Sequence, residues 1–334
     1  MLNKNEIIEV YSNTFKKRKI ANCSWIINRY CNYNCSYCWP HAHQKEKDFL
    51  TEDQYLIAVD NIIKQFNKNG FTLINWGFSG GEVTFNPHFL SILDEIQSYT
   101  DITSMYTNLV TNMSQSLKWW EKFTESTNKF KVVKVNGSWH SEYLTDQNKK
   151  NLFRDKMVFL QSSKIKVDVN YVMIPGKMDY AKTLIDFFKE KNIFVLIKGC
   201  RANYKLIDGY TKEEIKFISE SSMYQNSQKR KKSVFIKTQD EELGFNSFEE
   251  MFAEHAMSYI DFNCTAGFQA ITIYDNGDVC RGRTCKKEKL GNIKTGFNLH
   301  KRIQKCNISH QCTCSTDVKL PKWKDNANNM LKVG

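Results

Sequence analysis

Residues 29–40 read RYCNYNCSYCWP and place three cysteines, Cys31, Cys35 and Cys38, within eight residues. Structural zinc takes four protein ligands, usually delivered as paired C-x2-C elements. On a zinc reading His41 or His43 would complete the set. A cubane iron–sulfur cluster held by three thiolates instead leaves one iron for a ligand that is not protein.

Outward from this loop the chain alternates strand and helix patterns. NCSWIIN (22–28) reads as a strand that delivers the cysteines. Residues 51–70 read as a helix, with Thr51 and Gln54 as a capping box, Val59, Ile63 and Phe66 on one apolar face, and Gly70 at the C-cap. A strand follows at 71–78, and Pro87 opens a helix over 88–99. Further strands are expected at 102–108, 129–135, 165–174 and 193–198, with a helix at 181–190. Strands separated by helical crossovers specify a parallel sheet whose functional loops gather at the strand C-terminal ends. Six such units are fewer than a closed barrel needs, so the expectation is an α/β fold, a partial (β/α)6 barrel. Residues 211–220 and 247–255 read as helices and 233–237 as a strand. FQAITIYDNGDVC (268–280) reads as a hairpin around Asp275–Gly277. The division expected is a barrel domain over 1–214 and a smaller α+β domain over 215–334, with a loosely ordered tail from Lys322.

Composition narrows the class. The 334 residues contain eleven cysteines, and nine of them fall in two clusters, 31–38 and 264–314. An odd count without a secretion signal argues against a disulfide scaffold and for metal binding in a reducing compartment. No signal peptide and no long apolar run is read, so a cytoplasmic protein that does not enter the membrane is expected. The net charge of +12 permits an anionic partner. No basic stretch carries the interleaved aromatics of a base-stacking platform, which argues against nucleic acid.

The C-x3-C-x2-C loop, with Tyr37 just before its last cysteine, resembles the signature of the radical S-adenosylmethionine (SAM) superfamily. Gly80, Gly81 and Glu82, in FSGGEVTFNP at the end of the second strand, resemble that family's GGE motif. The resemblance implies a [4Fe-4S] cluster on Cys31, Cys35 and Cys38, with SAM chelating the open iron. One electron from a flavodoxin- or ferredoxin-type reductant then breaks the sulfonium bond, and a 5′-deoxyadenosyl radical takes hydrogen from the substrate. Tyr37 would lie against the adenine and the GGE turn would receive the SAM amino group. An ammonium wants carbonyl and carboxylate acceptors, and glycine lets the backbone approach. Weaker matches are Thr107 and Asn108, expected to close the third strand where relatives carry Thr-Asn-Gly, although Leu109 replaces the glycine. Ser138 and Asn170 are candidates for the ribose hydroxyls, His140 for substrate contact or acid/base work, and Cys200 for donating a hydrogen atom to a substrate radical.

The six C-terminal cysteines resemble the superfamily's SPASM/twitch auxiliary-cluster extension, in its shorter, single-cluster form. That implies one auxiliary [4Fe-4S] cluster, for which the favoured ligands are Cys264, Cys285, Cys312 and Cys314, with Cys280 and Cys306 as alternates. Zinc is the competing occupant. The activity expected is hydrogen abstraction in a net oxidation or rearrangement, and because no peptide-binding domain is read before the first strand, a small polar or carbohydrate-type substrate is expected. Two alternatives stand beside it: a maturase acting on ribosomal peptides, and a non-enzymatic zinc or electron-transfer module.

Overall fold

The computed structural model describes residues 7–16, 20–38, 45–99, 106–202, 205–221, 225, 232–245, 251, 258–309, 311–312 and 314–325. His41, His43 and most of 247–255 lie outside them. The chain divides into two compact units: one made of Trp25–Asp60 and Asn75–Lys229, the other of Met1–Ser24, Asn61–Ile74 and Arg230–Gly334.

Six strands form the parallel part of the fold: β1 (Ile20–Asn28), β2 (Leu73–Gly80), β3 (Tyr106–Thr111), β4 (Val132–Trp139), β5 (Lys166–Met173) and β6 (Phe194–Gly199). They are hydrogen-bonded in chain order. The pairs β2–β3, β3–β4, β4–β5 and β5–β6 are parallel. The intervening helices are α1 (Glu52–Lys68), α2 (Phe89–Ser98), α3 (Leu117–Glu125), α4 (Gln147–Ser162) and α5 (Met178–Lys189), and α6 (Lys212–Glu220) follows β6. The capping box read from sequence is present. Thr51 N–H donates to Gln54 Oε1 at 3.0 Å, and Gln54 N–H to Thr51 Oγ1 at 3.3 Å.

Strand side chains alternate between faces. Val135, Trp139, Val169, Tyr171, Val195 and Ile197 are all buried on one face. Trp139 meets Phe153 of α4 and Phe188 of α5 edge to face, at 5.1 and 5.6 Å between centroids. The opposite face carries Asn108, Lys134, Asn136, Ser138, Asp168 and Asn170, aligned by the strand register. Lys134 Nζ and Asp168 Oδ2 pair there at 2.6 Å. One face is thus an apolar seat for helices, and the other is a polar wall.

The third strand ends at Thr111, three residues beyond the sequence expectation. Thr107 and Asn108 therefore lie near its start, and Thr111 and Asn112 stand at its end. The sequence repeats Thr-Asn at 107–108 and 111–112, so spacing alone offers two registers, and burial of Leu109 selects the later end.

The second unit holds an antiparallel six-stranded sheet. Its order is β8 (Glu242–Phe245), β7 (Val234–Lys237), an N-terminal strand (Glu9–Ser12), then Lys322–Trp323, β9 (Asn263–Cys264) and Gln304–Lys305. A strand thus precedes the one read as first. Lys322–Trp323, expected to be loose, instead pairs on both sides, with Glu9–Val10 and with Asn263–Cys264. Both segments are too short to show a period-two signal, and their partners are remote in sequence. The expected hairpin is present as β10 (Ala270–Ile273) and β11 (Asp278–Cys280), with Thr272 opposite Cys280. No described helix is long and apolar enough to cross a membrane.

Candidate active site and auxiliary cysteine site

The Cys31–Cys38 loop leaves β1 and is tied to the turn that leaves β2. Gly81 N–H donates to Asn28 O at 2.9 Å, and Glu82 N–H to Tyr30 O at 2.7 Å. The approach leaves no room for side chains. A Cβ on Gly80, whose φ is +143°, would lie 2.1 Å from Asn28 O, and one on Gly81 would lie 2.1 Å from Tyr30 O. Two glycines in succession are what this joint between two strand ends requires.

Glu82 is 1% exposed. Its Oε1 accepts from Thr84 N–H at 3.2 Å, Thr84 Oγ1 at 2.7 Å and Thr111 Oγ1 at 2.7 Å. Its Oε2 accepts from Asn112 N–H at 2.6 Å. Burial pushes the carboxyl pKa up, and these donors oppose the shift. Asn112 also reaches the cysteine loop: its Nδ2 donates to Asn32 Oδ1 at 2.8 Å, and Asn32 Nδ2 donates to Ser114 Oγ at 3.1 Å. Met113, between them, takes a left-handed φ of +60°. Its carbonyl accepts from the buried Lys156 Nζ of α4 at 2.8 Å.

The segment after β4 clamps the loop from another side. His140 Nδ1 lies 3.2 Å from Cys35 Sγ and 3.0 Å from Tyr37 Oη, and its ring stacks on Tyr37. Burial pushes the His140 pKa down from 6.5 to about 4, so the imidazole is neutral at pH 7. Tyr143 stacks on Tyr33 with centroids 3.9 Å apart and accepts from Asn34 N–H. Glu142 accepts from Ser36 N–H at 2.9 Å and from the Ser36 hydroxyl. Lys45 Nζ donates to the carbonyls of Cys31 and Tyr33, at 3.0 Å each.

Of the residues singled out in the sequence, the structure brings Cys31, Cys35, Cys38, Tyr37, Gly80, Gly81, Glu82 and His140 into this one constellation. Asn108, Ser138 and Asn170 lie on the polar strand face. Ser138 is opposite Asn170 in register, and Asn108 accepts from Asn136 Nδ2 at 2.5 Å. Cys200 lies just past β6, buried, with its N–H donating to Tyr210 Oη at 2.8 Å. Sequence reasoning missed Thr111, Asn112, Asn136, Glu142, Tyr143 and Lys156. Only the second Thr-Asn pair offered a signal.

A model of the radical SAM superfamily matches residues 25–218, more than half of the chain. The chain belongs to the radical SAM superfamily. As a member it is an enzyme of the kind that uses a [4Fe-4S] cluster and SAM. The three loop thiols fit the group by donor chemistry. All are partly or wholly buried, and burial raises the pKa of each, to about 12 at Cys35 and about 11 at Cys38. Thiols so raised are protonated at neutral pH and give up their protons on metal loading.

Native anSMEcpe with bound AdoMet and Kp18Cys peptide is similar at TM-score 0.56 and 17% identity, over 83% of this chain and 78% of that one. Native anSMEcpe with bound AdoMet is similar at 0.54 and 15%, over 83% and 79%. Streptococcus suis SuiB bound to precursor peptide SuiA is similar at 0.53 and 15%, over 81% and 60%. At these identities the likeness shows the shared α/β fold. No curated protein sequence matches the chain.

In the second unit, a cavity is lined by Cys264, Cys285, Cys306 and Cys312, with Asp317 and Lys322. Cys280 turns away, its Sγ toward Lys286 O at 3.3 Å. Cys314 N–H donates to Thr284 Oγ1 at 3.3 Å. Arg281, 2% exposed, braces this region. Its guanidinium donates to the carbonyls of Ala266, Gln304 and Lys305 and to Glu288 Oε2, all at 2.9–3.0 Å. Among the described residues, no three His, Cys, Asp or Glu side chains close around a single metal ion.

Proposed function

We propose that this chain reductively cleaves SAM and abstracts hydrogen from a polar substrate, in a net oxidation or rearrangement assisted by an auxiliary [4Fe-4S] cluster. The observation that carries the reading is the joint of the cysteine loop to the Gly80–Glu82 turn, two motifs about fifty residues apart held by main-chain hydrogen bonds. When bound, the cluster and SAM supply the electron, the breakable sulfonium bond and the hydrogen-abstracting species. In this reading Cys31, Cys35 and Cys38 hold the iron, and the Gly80–Glu82 turn receives the amino group of SAM through its main-chain carbonyls, with the buried Glu82 carboxylate bracing the turn. Tyr37, backed by the neutral His140 ring, offers an aromatic surface to the adenine. Asn108, Ser138 and Asn170 offer hydrogen bonds along the strand face to ribose and substrate. The Lys134–Asp168 pair lines the same face, which suits a polar substrate. Cys200 remains a candidate hydrogen-atom donor. A flavodoxin- or ferredoxin-type protein is the proposed reductant, in a cytoplasmic setting.

A second reading, peptide modification, draws on the peptide-bound anSMEcpe and SuiB structures, whose fold this chain shares. The test is anaerobic reconstitution with iron and sulfide, then SAM and dithionite. 5′-Deoxyadenosine and methionine are expected from the native chain and absent from Cys35→Ala. Zinc retention without SAM cleavage would support a metal-binding module instead. Deuterium transfer into 5′-deoxyadenosine from labelled sugars or labelled peptides decides between the substrate readings.

A further inference from the structure

The C-terminal cysteines number six, and a cubane with full protein ligation needs four. Strand register makes the first selection. Cys264 is opposite Gln304, and Asn263 is opposite Lys305. Continuing that ladder puts Cys306 opposite Phe262, and the backbone agrees: Cys306 N–H donates to Phe262 O at 2.7 Å. Residues 262 and 264 share a face of the strand, so Cys264 and Cys306 are on one face, diagonally placed. Lys322 is directly opposite Cys264 on the other neighbouring strand and therefore shares that face as well. This face lines the cavity, and Cys285 and Cys312 complete the wall. Cys314 is two residues from Cys312 yet does not line it, and Cys280 is engaged with Lys286 O.

The cavity also has a built-in cation. Lys322 is 2% exposed, and its Nζ donates to the carbonyls of Asp317, Val318 and Leu320 while lying 5.1 Å from the Tyr259 ring centroid. Buried charge is expensive unless compensated. Lys322 lines the cavity together with the Asp317 carboxyl, and its charge acts on Cys306 and Cys312, which suits a site that becomes strongly anionic when the thiols ionise to bind iron.

We propose that Cys264, Cys285, Cys306 and Cys312 form one closed four-thiolate iron–sulfur site with Lys322 as its fixed counter-charge, and that Cys280 and Cys314 lie outside it. The inference rests on the auxiliary-cluster reading above and replaces Cys314 with Cys306 in the favoured ligand set. With every iron held by protein, the site has no corner for a substrate.

The test uses the full chain, reconstituted anaerobically, with iron and sulfide counts and electron paramagnetic resonance of the reduced protein. The native chain is expected to hold about eight irons in two cubane clusters. Cys306→Ala is expected to lose one cluster's worth, whereas Cys314→Ala retains the native count. Cys306→Ser, close in volume and thus less disruptive to the fold, exchanges one sulfur ligand for oxygen and alters the auxiliary spectrum, which Cys314→Ser leaves unchanged. Lys322→Met is expected to keep its iron and move the auxiliary potential to a more negative value. Loss of iron or an altered spectrum in the Cys314 variants, with native behaviour in the Cys306 variants, overturns the ligand set. A native chain that holds only about four irons overturns the auxiliary-cluster reading itself.

Discussion

The main-chain N–H of Asn112 donates to Oε2 of Glu82 at 2.6 Å, and the Asn112 side chain donates to Asn32 in the cysteine loop. One residue at the end of β3 therefore holds both the acidic turn after β2 and the thiol loop after β1. The three strand ends form a single hydrogen-bonded unit, and the predictions below follow from its parts.

Glu82→Gln keeps the side-chain shape but places an NH2 where the structure needs an acceptor. Either the Asn112 N–H or the Thr84 N–H then meets a donor. The expected cost is about 1–3 kcal/mol of stability, measured by urea unfolding of the metal-free chain. Glu82→Ala at equal or higher stability than Glu82→Gln would show that the geometry of the acceptor matters less than stated.

Gly81→Ala would place a methyl group 2.1 Å from Tyr30 O and 2.5 Å from Arg29 O. Backbone on both sides cannot yield as a flexible side chain can. A loss of about 1–3 kcal/mol or more is expected, together with poor iron retention by the displaced cysteine loop. Native unfolding midpoint and native iron content in this variant would contradict the close approach.

Lys156→Met leaves the Met113 carbonyl buried and unpaired beneath a left-handed turn. A destabilisation of about 1–3 kcal/mol is expected, with weaker SAM binding because the turn carries Asn112. Lys156→Arg, which can still donate, is expected to recover part of both. Calorimetric titration of SAM into the reconstituted variants reads the second effect separately from the first.

His140 has a folded pKa near 4 against an ordinary 6.5, because burial disfavours its charged form. Between those values the unfolded chain binds more protons at this site than the folded one, so stability rises with pH there. The contribution is complete above about pH 6.5 and disappears as pH falls through the folded value. The native metal-free chain is therefore expected to lose more stability between pH 7 and pH 5 than His140→Gln does. A His140 titration midpoint near 6.5 by NMR would sink this account.

The motifs that could be read from the sequence were those whose chemistry is local. Three thiols in one loop and two glycines before an acid keep their meaning wherever the strands end. The partial barrel was legible because each strand carries several apolar residues and each crossover is long enough for a helix. Asn112 was hidden by the doubled Thr-Asn, which leaves the end of β3 ambiguous until Leu109 is seen to be buried. Glu142 and Tyr143 carry no motif, and their contacts depend on how the loop after β4 meets the cysteine loop. The pairing of Cys264 with the segment holding Cys306 was likewise invisible, since a two-residue strand has no periodicity. Lys322 looked like part of a charged tail, and only its place between two strands shows it buried.

The strand Glu9–Ser12 is bonded to Val234–Lys237 on one side and to Lys322–Trp323 on the other. Its partners are made more than two hundred residues later. A growing chain can close the β1–β6 sheet while synthesis continues, but this second sheet has to wait for Lys322–Trp323 to emerge. Contacts so distant in sequence form slowly. The wall carrying Cys264 and Cys306 is thus completed only when Lys322–Trp323 is in place, after the residues of the Cys31 loop and its sheet are already made.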